Sequence, residues 1–452
     1  MAGLVTASLL AWPVLCLMFF LLLRARTAVV VSVFFAVLFL PMGSIEFSGF
    51  VNFNKYNSAS LGVLLGVVLF DSMRIMTFRL KWIDAPIIIY ACSAFMSSIS
   101  NGLGVYDGIS GLQNNFMIWM VPYFVGRIYF STPEGMRFLA KSIVIWVLVY
   151  LPFVAYEIRM SPQLHRMLYG YSPLGWSQLS RGSGAYRPAV FMQHGLMVSL
   201  WITSGGLAAF CLWQGKARRQ IAGVPAILIA ATDALFVFLS NSFGSLLILL
   251  GLVASVLLGR ATRWTMVLVL VVSVVPTYTL ARVILSWEPT VFVEGVDKYV
   301  STARASSFQF RVDNERLMID KTMGSRPLLG YGGWGRGRIY SESGRDLSIT
   351  DSYWIIVLSS QGLLGLVAFL AVLVVPVYGF AYRVRVRCWR EPWAAGGLAL
   401  VTVIIAFTFD SISNAMFNPI YVLAIGAVAG FVVHPSWQKA NSKGRTLRRS
   451  GR

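Results

Sequence analysis

Arginines that suit a phosphate group concentrate in two polar segments of an otherwise apolar chain. Arg181 and Arg187 lie in the segment RGSGAYRPAVFMQHG, and Arg311 lies in the segment ARASSFQFRVDNERLMIDKTM. A guanidinium group presents a planar fork of N–H donors that matches two phosphate oxygens at once. The structural alternative for each arginine is an ordinary ion pair with a neighbouring acid or a lipid headgroup.

The second of these segments is predicted to form a helix over about 303–323. On this helix Arg311 precedes Glu315 by four residues, and Arg316 precedes Asp320 by four. Residues four apart on a helix are neighbours, so ion pairing along the helix is the alternative to phosphate binding. Ion pairing along the helix accounts for Arg316 better than for Arg311.

Two side chains could accept a proton near these arginines. Asp351 lies in SITDSYW, directly before an apolar run, and His194 lies in the QHG element before another. A carboxylate or an imidazole in either place can act as a general base. The alternative for Asp351 is a helix-capping acid that forms a pair with Ser348, and for His194 a structural hydrogen bond.

A glycine-rich stretch, SRPLLGYGGWGRGRIY, follows the predicted helix. Its glycines allow close backbone approach and anion-binding turns, and Arg336 adds a charge. Trp334 and Tyr331 offer flat apolar faces on which sugar rings could stack, and Glu157, at the end of an apolar run, is a further candidate glycan contact. A Walker-type phosphate loop is excluded, because no Gly-Lys-Ser/Thr follows.

Membrane helices must position these segments. Of the 452 residues, 57% are hydrophobic and 12% charged, whereas soluble domains carry about 25% charged residues. The apolar runs predict an all-α polytopic membrane protein with about thirteen (12–14) transmembrane helices. The runs lie at about 3–23, 27–42, 58–72, 84–101, 113–130, 141–158, 190–213, 222–240, 243–259, 264–284, 353–381, 393–410 and 418–434. The cysteine spacing indicates neither a disulfide framework nor a metal site.

The distribution of charge predicts the orientation. With the N-terminus outside, most of the 38 basic residues fall on the cytoplasmic side, as the positive-inside rule requires. The net charge of +20 therefore faces anionic membrane lipid, and no nucleic-acid partner is expected. The predicted units are a transmembrane bundle (1–284) with an outer loop at about 159–189, a large, partly helical outer loop (285–352), C-terminal transmembrane helices (353–434) and a basic cytoplasmic tail (435–452).

Several elements in combination resemble the O-antigen ligase and Wzy-type O-antigen polymerase superfamily of bacterial inner-membrane glycosyltransferases. They are YE at Glu157, RP…HG before the next span, SNSFGSLL opening a span, and FR…RPLLGYG followed by TDSYW…QGLLGL. The resemblance is clearest over about 140–380. It implies a GT-C-like helical membrane fold, a long periplasmic loop, an undecaprenyl-pyrophosphate-linked oligosaccharide as donor, and inverting transfer without a metal or other cofactor.

The resemblance also implies roles for individual residues. Arg311 of the FR element and Arg181 or Arg187 of the RP element would hold the pyrophosphate. The ligases carry a histidine directly before the span that reads GLLGL, where this chain has Asp351. This departure favours a polymerase and makes Asp351 the leading candidate for the base, with His194 second.

The sequence thus predicts a polysaccharide polymerase that joins repeat units on the periplasmic face of the inner membrane, as in exopolysaccharide synthesis. Expected further partners are a chain-length co-polymerase and a flippase. One alternative is a ligase that transfers finished glycan to a lipid or protein acceptor. An alternative from another class is a transporter of lipid-linked glycan, which would need polar residues within the spans. Asp233 and Asp410 could be relay residues of such a transporter, but only Asp233 lies well inside a span, and Asp410 is more simply interpreted as an interfacial cap.

Overall fold

The computed structural model describes residues 2–46, 52–181, 185–215, 220–299, 302–333, 335–344, 346, 348 and 351–434. Over these residues the protein is all-α, apart from three antiparallel hairpins of two-residue strands. The hairpins pair β1 (Ser44–Ile45) with β2 (Phe53–Asn54), β3 (Ser180–Arg181) with β4 (Ala185–Tyr186), and β5 (Gln220–Ile221) with β6 (Val224–Pro225).

The first part of the described chain contains both long apolar helices and short connecting ones. They are α1 (Ala2–Leu22), α2 (Ala25–Phe39), α3 (Lys55–Phe70), α4 (Ser72–Met76), α5 (Ala85–Ser100), α6 (Val105–Asn115), α7 (Val121–Phe130), α8 (Pro133–Met160), α9 (Leu164–Tyr169) and α10 (Trp176–Leu179). A 3-10 turn, Trp82–Asp84, leads into α5, and a π-helical turn, Phe116–Met120, joins α6 to α7.

The second part begins with α11, directly after the RP…HG element. Its helices are α11 (Gly195–Gln214), α12 (Ala226–Leu239), α13 (Phe243–Thr262), α14 (Met266–Ile284), α15 (Thr290–Tyr299), α16 (Thr302–Ser325), α17 (Tyr353–Arg383), α18 (Pro392–Ser413) and α19 (Pro419–Val433), with a 3-10 turn at Val386–Cys388. The helix predicted over about 303–323 is observed as α16, and it ends two residues before Pro327, which cannot continue it.

Eight of the described helices are long and apolar enough to cross a membrane, namely Gly3–Leu22, Trp82–Ser100, Pro133–Met160, Gly195–Gln214, Phe243–Thr262, Met266–Ile284, Tyr353–Arg383 and Pro392–Ser413. The protein is therefore a multi-pass membrane protein. The predicted count of thirteen is not reached by this criterion, because α2, α3, α12 and α19 have only 14 to 16 residues, and a full span needs about 20. The run predicted at 113–130 is divided between α6, the π turn and α7.

The bundle is organised around α11, α18 and α19, whose residues are almost all buried. Helices at the periphery, such as α1 and α13, expose leucines instead; Leu22, for example, is 74% exposed. Large contiguous apolar surface is rare on soluble proteins. These outer faces fit a hydrocarbon environment, and the polar residues that the central helices carry are enclosed by protein.

Helix α17 is broken near its start. Gly362 has φ 64° and ψ −163°, which interrupts the helix within the QGLLGL motif. The glycine-rich loop fills this break: the N–H of Leu363 donates to the carbonyl of Pro327 at 2.8 Å, and the N–H of Tyr331 donates to the carbonyl of Ser359 at 2.8 Å. Backbone groups freed in an apolar helix must find partners within the protein, and here the loop supplies them.

Two glycines make this contact possible. A Cβ on Gly330, whose φ is +65°, would lie 2.6 Å from the backbone nitrogen of Gly362, and a Cβ on Gly362 would overlap the backbone of Leu328. Side chains of α5 complete the arrangement, since Asn101 Nδ2 donates to the carbonyl of Gly330 at 2.8 Å and Ser97 Oγ to that of Ser360 at 2.7 Å. The RPLLGYG and QGLLGL motifs are therefore two halves of one backbone-paired element.

Candidate functional site

A cavity of about 760 Å³ lies where the ends of four helices meet, and we name it the arginine cavity. Its walls come from the segment before α11, the turn between α12 and α13, the middle of α16 and the end of α18. It is lined by Arg187, Leu196, Phe238, Asn241, Ser242, Phe243, Gly244, Ser245, Leu246, Leu247, Ile248, Phe308, Arg311, Asp410, Ser413 and Asn414. Arg187 and Arg311, which the sequence assigns to a pyrophosphate, thus line the same space.

Arg187 is positioned by the start of α11. It follows the β3–β4 hairpin, and its Nη2 donates to the carbonyl of Asn241 at 3.2 Å. A Cβ on Gly195, the first residue of α11, would overlap Cγ of Arg187. The glycine of the HG element therefore leaves the room in which the Arg187 side chain crosses the helix end.

The segment after Arg187 is held by buried charges of both signs. The carboxylate of Glu157 accepts from the N–H groups of Ala189 at 2.9 Å and Val190 at 2.7 Å, and the ammonium of Lys55 donates to the carbonyl of Phe191 at 2.8 Å. Val190 has φ 51°, an uncommon conformation for a β-branched residue. Such strained positions persist only where the surroundings fix them and cluster at functional sites.

The turn between α12 and α13 contributes a helix N-terminus. Asn241 adopts φ 55°, which asparagine tolerates better than most residues, and α13 begins at Phe243. Ser242 and Gly244 line the cavity, so the first turn of this 20-residue helix faces it. The unpaired N–H groups of a first turn carry partial positive charge and favour anions.

Arg311 lines the same cavity from α16. Its Nη1 donates to the carbonyl of Ser413, the last residue of α18, at 3.0 Å, and its Nε lies 3.5 Å from Oδ2 of Asp351. Both partners remain partly exposed, with 30% of the Arg311 side chain and 44% of the Asp351 side chain accessible. The leading candidate for the base and a predicted phosphate-binding arginine are therefore in direct contact.

The ion pair expected along α16 does not form at Arg311. Glu315 is buried, and it accepts hydrogen bonds from Ser352 Oγ at 2.7 Å and Tyr278 Oη at 3.1 Å, with Arg282 Nε at 3.8 Å. Burial raises the pKa of Glu315. Glu315 thus ties α14, α16 and the residue next to Asp351 together, and leaves Arg311 to pair with Asp351. Arg316, in contrast, does pair along the helix with Asp320 at 3.8 Å, and also with Glu288 at 2.6 Å.

The predicted cap formed by Ser348 and Asp351 is wrong. Helix α17 begins after Ser352, whose side chain does not cap it. The Ser348 hydroxyl donates to Asp346 Oδ1 at 2.9 Å instead. The Asp351 carboxylate therefore faces Arg311 rather than the helix end.

Asp410, which lines the arginine cavity, was interpreted from the sequence as an interfacial cap or a relay residue. Asp410 is only 2% exposed, and its Oδ1 accepts from Asn414 Nδ2 at 2.6 Å. Its Oδ2 accepts no hydrogen bond from any residue that the structure describes. The sequence signal, an acid at the end of an apolar run, was present, but only the tertiary structure places it beside Arg311.

Two predicted residues have structural roles that argue against the ones first assigned. The Glu157 carboxylate is 1% exposed and is fully engaged with backbone N–H groups, including that of Leu164 at 3.0 Å, so it does not present itself to a glycan. His194 caps α11, with Nδ1 accepting from the N–H of Leu196 at 3.1 Å. The Nδ1 lone pair is therefore occupied by the backbone at the start of α11.

The glycine-rich loop belongs to a different cavity from the one that holds Arg187 and Arg311. Arg336 Nη2 lies 2.5 Å from Asp107 Oδ2, next to a space of about 300 Å³ that we name the glycine-loop cavity. Tyr331 Oη donates to the carbonyl of Lys321 at 3.1 Å, and Lys321 Nζ lies 4.8 Å from the centre of the Tyr331 ring. Neither Arg336 nor Tyr331 is among the residues that line the arginine cavity.

Trp334 and the side chain of Arg181 lie outside the described residues. Asp233, on α12, lines neither cavity; it is fully buried, and within the described chain both of its carboxylate oxygens lack hydrogen-bond partners. In the part of the chain that the structure covers, no group of three His, Cys, Asp or Glu side chains is arranged to hold a metal ion.

The chain matches no protein-family model, and a comparison with curated proteins finds no match either. The site must therefore be interpreted from its own geometry. Two guanidinium groups and a helix N-terminus can neutralise a multiply charged anion. Two carboxylates beside them, Asp351 and Asp410, can accept a proton from a group that approaches the anion.

Proposed function

We propose that the protein is a polysaccharide polymerase that joins undecaprenyl-pyrophosphate-linked oligosaccharide repeat units on the periplasmic face of the bacterial inner membrane. The observation that carries the proposal is that Arg187 and Arg311, from distant parts of the sequence, line one cavity with Asp351 in contact with Arg311. Further support comes from the family-like elements: RP…HG, SNSFGSLL and FR all contribute residues to this cavity.

In the proposed reaction a hydroxyl group of the acceptor sugar attacks the anomeric carbon of the donor. The new C–O bond forms on the face opposite the pyrophosphate, so the configuration inverts. The bond between the anomeric carbon and the phosphate oxygen breaks, and its electron pair leaves with the pyrophosphate. The hydroxyl proton passes to the Asp351 carboxylate. The products are a lengthened lipid-linked glycan and free undecaprenyl pyrophosphate.

The arginines act where negative charge grows during this step. As the bond breaks, charge accumulates on the departing phosphate oxygen, and Arg187, Arg311 and the first turn of α13 stabilise it without a metal ion. Charge contacts of this kind contribute about 10²–10³ in rate. The apolar part of the cavity, which includes Phe238, Phe243 and Leu247, would receive the first part of the lipid tail.

The orientation of the chain fits the same proposal. With the N-terminus and both polar loops on the periplasmic side, most of the basic residues face the cytoplasm. Arg187 and Arg311 are then exceptions to the positive-inside trend. Anion binding in the cavity that they line would explain why two basic residues lie on the periplasmic side. The donor and acceptor reach that side after a flippase has moved them.

The test compares Arg311→Ala with Arg316→Ala, two arginines on the same helix. Arg316 is more exposed and pairs only with acids outside the cavity among the described residues. In a strain lacking the native gene, Arg311→Ala is expected to leave single repeat units on the carrier lipid, while Arg316→Ala restores long chains. Surface polysaccharide and lipid-linked intermediates are separated by gel, with protein levels measured in parallel.

Three results would overturn the proposal. Normal chain lengths with Arg311→Ala at normal protein levels would remove the anion site from the reaction. Long chains stranded on the carrier lipid would indicate a ligase. Purified protein that moves lipid-linked units across liposomes without extending them would indicate a transporter.

A further inference from the structure

The glycine-loop cavity lies between α5, α6 and the broken start of α17. Its lining is rich in amides, hydroxyls and backbone groups. The polar and aromatic members are Tyr90, Ser98, Asp107, Asn114, Asn115, Arg338, Tyr353, Ser359, Ser360 and Gln361, and Gly332, Gly333, Gly335 and Gly337 close one side. Anion binding in the arginine cavity does not explain what this second cavity does.

Two backbone irregularities meet at this cavity. The π-helical turn Phe116–Met120 begins directly after Asn115, and the break at Gly362 follows Gln361; Asn115, Ile118 and Gln361 all line the space. Irregular backbone at membrane depth is tolerated where it is enclosed by protein or lines a polar cavity. Single π turns occur frequently at functional sites. Both departures from regular helix therefore point to the same place.

Two ion pairs lie at this cavity among the residues that the structure describes. Asp107 Oδ2 pairs with Arg336 Nη2 at 2.5 Å, and Arg338 Nη1 pairs with Asp346 Oδ2 at 2.8 Å. Amide groups from Asn114 and the ring edges or faces of Tyr90 and Tyr353 complete a wall that can hydrogen-bond and stack without attracting a strong anion. This chemistry differs from that of the arginine cavity and suits a neutral, hydroxyl-rich ligand.

Helix α16 borders both cavities, and the segment 351–353 links the two through a contact with Arg311. On α16, Arg311 lines the arginine cavity and Met318 lines the glycine-loop cavity, which places them about 10 Å apart along the helix axis. Asp351 contacts Arg311, and two residues later Tyr353 lines the glycine-loop cavity. The segment that carries the candidate base therefore connects Arg311, in the wall of the arginine cavity, to Tyr353, in the wall of the glycine-loop cavity, while Asp351 itself is not among the residues that line either cavity.

We propose that the glycine-loop cavity binds the terminal sugar of the acceptor glycan and directs its hydroxyl toward Asp351, while the donor pyrophosphate occupies the arginine cavity. The inference rests on the proposed polymerase function for the identity of the acceptor. At about 300 Å³ the space is at the small end of ligand pockets. It is sized for one sugar rather than for a whole repeat unit.

The experiment titrates purified full-length protein in detergent with two probes by calorimetry. One probe is the oligosaccharide repeat unit released from the host polysaccharide and free of phosphate, and the other is inorganic pyrophosphate. Gly333→Leu adds a bulky side chain at a lining position of the cavity, where a Cβ meets no other atom within 4 Å; Gly324→Leu, at the exposed end of α16 and outside the lining, is the matched control. Asn114→Ala removes a polar contact without adding bulk, and Arg311→Ala tests the other cavity.

We expect Gly333→Leu and Asn114→Ala to weaken saccharide binding by tenfold or more with pyrophosphate binding unchanged. Gly324→Leu should bind both probes as the native protein does, and Arg311→Ala should lose pyrophosphate alone. Native saccharide affinity in both Gly333→Leu and Asn114→Ala would overturn the assignment of the acceptor site. Native pyrophosphate binding and chain extension in Arg311→Ala would instead overturn the proposed function, so the two failures are distinct.

Discussion

Nε of Arg311 lies 3.5 Å from Oδ2 of Asp351, and both side chains are partly exposed. The pair joins a residue in the middle of α16 to one that precedes α17. An anion that approaches Arg311 competes with Asp351 for the guanidinium group. Binding of a diphosphate would therefore release the carboxylate to act on another group.

This relationship predicts a separation of binding from turnover in Asp351→Asn. Because the amide no longer competes as a charge, inorganic pyrophosphate should bind at least as tightly as to the native protein. Turnover should fall by about 10²–10⁴, the usual contribution of a general base. Titration with pyrophosphate and an assay of chain extension measure the two effects, with Asp320→Asn, on α16 and paired with Arg316, as the control. If Asp351→Asn retains native turnover while Asp410→Asn loses it, the base is Asp410.

Gly195→Ala should displace the Arg187 side chain while leaving its positive charge in place. The added Cβ would overlap Cγ of Arg187, so the side chain must leave its position across the end of α11. We expect chain extension to fall by about 10²-fold, comparable to the loss of one charge contact. Gly251→Ala, also within a helix and with open space around its Cβ, should have little effect. Equal activity of the two variants would show that the position of Arg187 does not matter.

Gly330→Ala should destabilise the contact between the glycine-rich loop and broken α17. The residue has φ +65°, and its new Cβ would lie 2.6 Å from the backbone nitrogen of Gly362. The left-handed conformation alone costs about 1–2 kcal/mol for alanine, and displacement of the paired backbone adds to it. Thermal unfolding in detergent and protease cleavage of the loop report the change, with Gly324→Ala as control. A melting temperature identical to that of the control would show that the close contact between Gly330 and the backbone of Gly362 does not stabilise the protein.

Glu315→Gln should reduce stability and activity together. The substitution leaves Arg282 without its buried carboxylate partner and weakens the acceptor for Ser352 Oγ, which lies next to Asp351. Loss of one partner of a buried ion pair costs about 3–5 kcal/mol. Asp351→Asn, in contrast, should lower turnover at native stability. A thermal scan and the extension assay on the same preparations distinguish the two; native stability of Glu315→Gln would contradict the network.

The loop that precedes α11 should loosen as the pH falls. His165 Nε2 accepts from the N–H of Met42 at 3.1 Å, and burial lowers the pKa of His165 below its usual value of 6.5. The folded state therefore binds this proton less readily than the unfolded state, so stability decreases as the pH falls from about 6.5 through the lowered pKa. His165→Gln keeps a side-chain acceptor and removes the titration. Unfolding measured from pH 7.5 to 5 should show a weaker pH dependence in this variant; an identical dependence would assign the effect to other groups.

The site was only partly predictable. Arginine forks and a boundary carboxylate can be recognised from residue type and position, and the resemblance to the ligase and polymerase superfamily then singled out Arg187, Arg311 and Asp351 among the candidates. Glu157 and His194 were also selected, yet the Glu157 carboxylate and the His194 Nδ1 accept hydrogen bonds from backbone N–H groups. Residue type does not distinguish an available carboxylate from one that a folded backbone has already occupied. Asp410 illustrates the reverse, since an acid that resembles a cap lines the cavity.

The amino-acid sequence by itself determined the membrane class, the position of the apolar helices and the end of α16 before Pro327, because these follow from local hydrophobicity, length and backbone chemistry. Only the tertiary structure decided which polar residues share a space. It paired Arg311 with Asp351 rather than with Glu315, and it separated Arg336 from Arg311 by giving it Asp107 as a partner. Such choices depend on contacts between residues far apart in the chain, which no local pattern encodes.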